Sequence, residues 1–208
     1  MQAEIITIGD ELLIGQVVDT NSAWLGRTLG EDGIKVTQIT SVQDDADQIA
    51  RAVNEALARV SIVLVTGGLG PTRDDITKHT LAELFGMRLV RDEQVYETVR
   101  RQLAVRGIAF NELNRGQALV PDGCTVLPNR NGTAPGMWFE RGGKILVSMP
   151  GVPFEMKALV TDEVLPRLRT HFSLHANVHR TAITFGLAES ILAERIAPWE
   201  AALPANLR

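Results

Sequence analysis

The segment Thr66-Gly67-Gly68-Leu69-Gly70-Pro71-Thr72-Arg73-Asp74-Asp75 gathers glycines, hydroxyls, a guanidinium and two adjacent carboxylates into one short stretch. It joins the strand-like Ser61-Ile62-Val63-Leu64-Val65 to a helix-like run from Ile76 to Phe85. Glycines let the backbone turn tightly and present bare N–H groups near a helix start, where a phosphate is favoured. Two carboxylates beside a phosphate repel it unless one turns away or a divalent cation bridges carboxylate and phosphate. The segment therefore reads as a metal-bridged phosphate site, with Gly67, Gly68 and Gly70 as the cradle. The bland alternative is that the glycines only shape the connection and that one of Asp74 and Asp75 only caps the following helix.

Residues elsewhere extend this chemistry. Thr72 offers a hydroxyl contact, and Arg73 and Lys78 offer charge to offset a phosphate, or else face solvent near the helix start. Asp10 and Glu155 are further oxygen ligands for a Mg²⁺-like ion, although Glu155 also suits a first helical turn through the backbone field alone. Asn131-Gly132-Thr133-Ala134-Pro135-Gly136 is a polar loop fit for a sugar or base edge and equally fit for a hairpin. The chain has no GxxxxGK[ST] and no GxGxxG after its first strand, which removes the sharpest warrants for nucleoside triphosphate hydrolysis and dinucleotide redox chemistry. His79, His171, His175 and His179 lack a metal-ligand spacing, and lone Cys124 reads as buried bulk. Ser148 lies in Ser-Met-Pro-Gly, not in a nucleophile elbow.

Apolar periodicity supplies the elements that must position these groups. Strands are expected at Ala3–Ile8, Ile34–Val42, Ser61–Val65, Thr125–Leu127, Met137–Phe139 and Lys144–Met149. Helices are expected at Asn21–Leu29, at Gln48–Val60 with Asp45 as cap, from Asp74 or Asp75 to a stop at Gly86, and at Glu93–Val105. Another begins near Phe154 with Met156, Leu159 and Val160 packing inward, and the α/β domain closes around Leu168. Alternating β and α elements predict a doubly wound, mostly parallel sheet with helices on both faces. In such a sheet Ile8-Gly9-Asp10-Glu11, the Gly67–Asp75 loop and Pro150-Gly151 share one edge, so Asp10, the loop and Glu155 meet in a crevice despite their separation in sequence. Thr170–His179 reads as a linker. Thr181–Phe185 and Glu189–Trp199 read as the strand and helix that open an incomplete second domain.

With 45% hydrophobic residues, 21 Lys and Arg against 25 Asp and Glu, and a net charge of −4, the 208 residues can build a substantial core and carry no general pull toward nucleic acid. No run approaches the roughly 18 apolar residues that span a bilayer. One cysteine and no apparent signal segment make a cytoplasmic, membrane-free setting the expectation.

In combination, Ile8-Gly9-Asp10-Glu11-Leu12-Leu13 with Asp19-Thr20-Asn21, Gly67–Asp75, Asn131–Gly136 and Pro150-Gly151-Val152-Pro153-Phe154-Glu155-Met156 closely resemble the CinA family, in its amino-terminal molybdopterin-binding-like domain. The resemblance covers most of residues 1–170, and Phe185–Ser190 resembles the start of the family's small middle domain within 171–208. It implies an α/β three-layer sandwich like MoaB and MogA followed by an incomplete small α+β domain. It also implies competence/damage-inducible naming, a homodimer, and a metal-dependent ADP-ribose pyrophosphatase that yields AMP and ribose 5-phosphate.

On this reading Asp74, Asp75, Lys78 and Glu155 serve catalysis. Gly67, Gly68, Gly70, Thr72, Arg73, Asn131, Gly132, Thr133 and Gly151 hold substrate, and Asp10, Asp74, Asp75 and Glu155 hold Mg²⁺ or a transition metal such as Co²⁺. The competing expectation is a non-catalytic module that binds a nucleotide or a molybdopterin-like ligand. The family's carboxyl-terminal nicotinamide mononucleotide deamidase domain lies beyond this chain, and its chemistry is not carried over.

Overall fold

A computed structural model describes residues 1–72, 75–174 and 181–204. The chain divides into two compact units, Met1–Asn177 and Val178–Arg208.

The first unit is built on a six-stranded sheet. In chain order its strands are β1 (Gln2–Ile8), β2 (Lys35–Val42), β3 (Ile62–Thr66), β6 (Thr125–Leu127), β7 (Gly136–Arg141) and β8 (Lys144–Met149). They lie side by side as β2-β1-β3-β8-β7-β6. The first four of that order are mutually parallel, whereas β7 and β6 run antiparallel. Successive strand residues point to opposite faces, so a strand buried on both reads as a continuous apolar run. In β3, Ile62 and Leu64 join one core while Val63 and Val65 join the other.

The first core is closed by α2 (Thr20–Glu31) and by a long helical stretch made of α7 (Pro153–Leu159), a π-helical turn at Val160–Val164 and α8 (Leu165–Phe172). Pro166 has no N–H to donate, and Leu165 N–H bonds Val160 through a widened turn just before it. The second core is closed by α3 (Ala46–Arg59) and α4 (Thr77–Leu84), giving the expected three layers. Within this layer Glu4 is 2% exposed and takes both oxygens to Arg59, at 2.8 Å to Nε and 2.8 Å to Nη2. The pairing offsets the desolvation that an isolated buried carboxylate would suffer.

Caps fix where the helices begin. Asp45 accepts from Gln48 N–H at 3.0 Å, as the sequence predicts, and Asp92 accepts from Val95 N–H at the start of α5 (Glu93–Val105). A small outlying layer was not foreseen: β4 (Leu89–Arg91) and β5 (Leu119–Pro121) pair antiparallel and pack with α5 beside α6 (Glu112–Gly116). A further short helix, α1 (Asp10–Leu13), follows β1 directly.

In the second unit, α9 (Glu189–Ala201) matches the expected helix. Thr181–Phe185, expected as a strand, has no strand pairing among the described residues, and an unpaired extended run does not make a sheet. The expected linker is also shortened, because α8 continues to Phe172. Among the described residues no helix is long and apolar enough to cross a membrane.

Candidate functional site

The chain leaves β1 toward β2 on one side and reaches β3 on the other, so the strand order reverses at β1. Open α/β sheets place their ligand crevice outside the carboxyl ends of the strands at such a point. Here the turns after β1, β3 and β8 surround a crevice of about 520 Å³, within the usual range for a small-molecule site.

Contact between these turns explains two glycines. Gly67 has φ +114°, and a Cβ there would come within 2.1 Å of the Ile8 carbonyl oxygen. A Cβ on Gly151 would stand 3.3 Å from Gly67 Cα. The three strand ends thus touch through bare backbone. Asn21 ties them from α2 by donating to the Gly151 carbonyl at 2.7 Å, and Thr66 Oγ1 donates to the Pro150 carbonyl at 2.9 Å.

Asp75 organises the loop itself. Its carboxylate accepts from Gly70 N–H at 2.7 Å, from Thr72 N–H at 2.9 Å and from the Thr72 hydroxyl. It does not cap α4, which begins at Thr77 with Ile76 in the cap position. Two donors expected for a phosphate, Gly70 N–H and Thr72, are therefore engaged by a carboxylate, and Gly67 N–H is engaged by the Met149 carbonyl. Gly68 is the cradle glycine whose N–H has no acceptor among the described residues.

The opposite wall is the loop from Asn129 to Ala134, held by one side chain. Asn129 Oδ1 accepts from the N–H groups of Asn131 and Gly132 at 3.0 Å each. Its Nδ2 donates to the Ala134 carbonyl at 2.9 Å and to Glu155 Oε2 at 2.7 Å. Glu155 packs over Gly132, where a Cβ would lie 1.9 Å from its Oε2.

Of the residues named from sequence, Gly67, Gly68, Gly70, Asp75, Thr133, Gly151 and Glu155 line the crevice. Gly132 lines a neighbouring cavity of about 170 Å³ beside α5, which shares Thr133 with the crevice. Asn131 gives its carbonyl to Arg106 at 2.9 Å and does not line the crevice. Arg73 and Asp74 lie outside the described residues, as do His175 and His179. Asp10, expected as a metal ligand, is an exposed residue of α1 outside the crevice lining.

Lys78, expected to neutralise phosphate, is buried and donates to the Gly116 carbonyl at 2.8 Å. Burial brings its pKa down to about 8, against the pull of Asp75. Cys124 is half-buried, with its thiol pushed up to about 11 chiefly by burial, which suits bulk and not a nucleophile.

Two lining carboxylates were not foreseen. Glu11 follows β1, and Asp44 follows β2, where it accepts from Asp10 N–H at 3.3 Å. Burial is the largest influence raising Asp44 above the ordinary carboxylate range; Asp10 N–H lowers it, while the charges of Asp10, Glu11 and Asp75 raise it again. The signal was present in the sequence, since β2 is a fourth parallel strand whose end shares the same edge. Among the described residues, Glu11, Asp44, Asp75 and Glu155 give the crevice four carboxylates, and its described lining holds no Lys or Arg. Such a wall favours a cation, and it favours a phosphate when a cation accompanies it. Hard oxygen donors of this kind suit Mg²⁺, although among the described residues no three His, Cys, Asp or Glu converge to hold a metal by themselves.

Comparison with known proteins follows the same geometry. Residues 4–170 match the family described as Probable molybdopterin binding domain. A CinA-like protein of Cytophaga hutchinsonii is 50% identical over 202 residues, which are 97% of this chain and 48% of that protein. A protein named for competence-damage induction in Caldicellulosiruptor saccharolyticus is 41% identical over 197 residues, 95% of this chain and 48% of its own length. The chain thus spans about half the length of the curated relatives it matches. The crystal structure of the protein CinA from Thermoplasma acidophilum has a TM-score of 0.71 at 37% identity, covering 77% of this chain and 94% of that one. MoaB from Thermus thermophilus shares the fold alone, with a TM-score of 0.54 at 20% identity over 83% and 96% of the two chains.

Proposed function

The chain belongs to the CinA family through an amino-terminal domain of the MoaB and MogA type, and on that premise we propose that its crevice binds a phosphate-bearing nucleotide or molybdopterin-like ligand. The observation that carries this reading is the meeting of the β1, β3 and β8 turns at the point where strand order reverses. Two features support the reading: Gly68 N–H has no acceptor among the described residues and is a free donor for a phosphate oxygen, and Thr133 lines both the crevice and the cavity beside α5, where its hydroxyl can serve a sugar or ring. Calorimetric titration with ADP-ribose in the presence of Mg²⁺ tests the proposal. Saturable binding supports it, and no binding of ADP-ribose or of a pterin phosphate overturns it.

The four carboxylates favour a second step, hydrolysis of ADP-ribose to AMP and ribose 5-phosphate. A divalent cation, when bound, would polarise a phosphoryl oxygen and offset charge. The chain's own contribution is positional. The Asp75-tethered loop would fix the diphosphate end, Glu155 is held by Asn129 where it can orient water, and Lys78, bonded to the Gly116 carbonyl, ties α4 to α6 and lies outside the crevice lining. Release of AMP in the same titration supports hydrolysis, whereas binding without AMP supports the module alone. The homodimer is part of this proposal, to be read by sedimentation.

A further inference from the structure

The cavity beside α5 holds about 170 Å³, below the roughly 300–1,000 Å³ of a whole small-molecule site. It has room for one end of a molecule whose remainder lies in the crevice next to it. Thr133 lines both spaces. At their border Asn129, from the cavity wall, donates to Glu155, from the crevice wall, at 2.7 Å. In contrast to the acidic crevice, the cavity is walled mainly by apolar side chains, Val95 and Val99 on α5 with Val126, Pro128 and Pro135 on and after β6. Such walls suit the faces of a flat ring, whose removal from water supplies the attraction. Helix α5 is also tied to the facing loop: Gln102 Nε2 donates to the Asn129 carbonyl at 3.0 Å and Arg106 Nη2 to the Asn131 carbonyl at 2.9 Å. The cavity is thus held in shape before any ligand enters.

Among the described residues its lining has one charged side chain, Asp92. Asp92 Oδ1 caps α5 by accepting from Val95 N–H at 2.9 Å, and Oδ2 has no hydrogen-bond partner among the described residues. An ionised carboxylate only accepts, so the free oxygen attracts an amino group on a ring edge and repels a ring carbonyl oxygen. We infer that this cavity seats the ring of the bound ligand, a flat nitrogen heterocycle with an exocyclic amino group, and that Asp92 selects for that group. The inference rests on the proposal that the crevice takes a phosphate ligand, and it fixes which way that ligand lies: phosphate at the strand ends, ring against α5. A purine and a pterin share the required chemistry.

Calorimetry on the full chain with Mg²⁺ compares ADP-ribose with inosine diphosphate ribose, and neopterin phosphate with the corresponding lumazine phosphate. In each pair the second ligand carries oxygen in place of the ring amino group. The amino form is expected to bind at least about tenfold tighter than its oxo analogue. Asp92→Asn should remove most of that preference, because an amide both donates and accepts, while Asn caps a helix as well as Asp does. Thr98→Trp, at an exposed position of the cavity lining, should fill the space and weaken the amino ligand about tenfold or more. Glu93→Gln removes a carboxylate from the same helical turn but outside the lining, and should leave the preference unchanged. Thermal melting verifies that each variant is folded. The pair that shows these changes identifies the ring as purine or pterin. Equal affinity for amino and oxo forms in the unaltered chain overturns the assignment, as does a preference that survives Asp92→Asn or an affinity that ignores Thr98→Trp. In each of these cases ligand still binds, so the crevice proposal stands. If neither ADP-ribose nor neopterin phosphate binds the unaltered chain, the crevice proposal falls and the ring assignment with it.

Discussion

Asp75 shows how a residue's type is legible in sequence while its work is not. Two adjacent carboxylates after a glycine turn announce a cap or a ligand, but the side chain folds back onto Gly70 and Thr72, a contact only the turned loop creates. Asp75→Ala leaves those N–H groups without their charged acceptor. It should cost on the order of 1–2 kcal/mol in a denaturant titration and weaken ADP-ribose binding; unchanged affinity would remove the loop from the binding account. Asp44 joins the crevice because β2, parallel to β1, ends at the same edge of the sheet as the three glycine-bearing turns.

Lys78 was named for its charge, and burial redirects that charge to Gly116. The folded chain holds its proton less tightly than the unfolded chain, about 8 against 10.5. Relative to Lys78→Met, stability should therefore be flat below about pH 8 and rise as pH climbs toward 10.5, by on the order of 3 kcal/mol. Melting curves across that window measure the difference, and parallel profiles would contradict the burial.

Among the elements, those with long apolar periodicity were readable to within a few residues: β1, β3, α3, α5 and β8 fall close to where the pattern puts them. What escaped was short or dependent on partners. β4 and β5 have three residues each, too few for a period to show, and they exist because they pair with one another. Thr181–Phe185 has strand-like residues and no described strand beside it.

From sequence, Asn131–Gly136 suits a hairpin or a ligand edge equally, whereas the loop's shape depends on Asn129, which makes three hydrogen bonds inside it and a fourth to Glu155. Asn129→Ala should destabilise by about 2–3 kcal/mol in chemical denaturation and free Glu155 from its position. A loss within 0.5 kcal/mol, the scatter of ordinary surface substitutions, would show that the loop holds itself. Gly67→Ala places a Cβ against the Ile8 carbonyl at positive φ, and a cost of about 2 kcal/mol or more is expected in the same assay.

For the whole molecule, the fold class followed from alternation alone, and the crevice followed from the rule for parallel sheets; its acidity did not, because charge balance inside a cleft depends on which side chains turn inward. α9 buries none of its residues, so a chain ending at Leu174 should melt within a few degrees of the full one, and a large loss of stability would assign the second unit a structural part.

The claim on which the account depends is that ligand binds at the meeting of the strand ends. Val152 lines this crevice and is 43% exposed, so Val152→Trp fills the opening without disturbing the core. Calorimetry of ADP-ribose with Mg²⁺ should show saturable binding to the unaltered chain, lost or weakened at least about tenfold by Val152→Trp and by chelation. Binding of equal affinity in the Val152→Trp variant would place the ligand elsewhere and contradict the account.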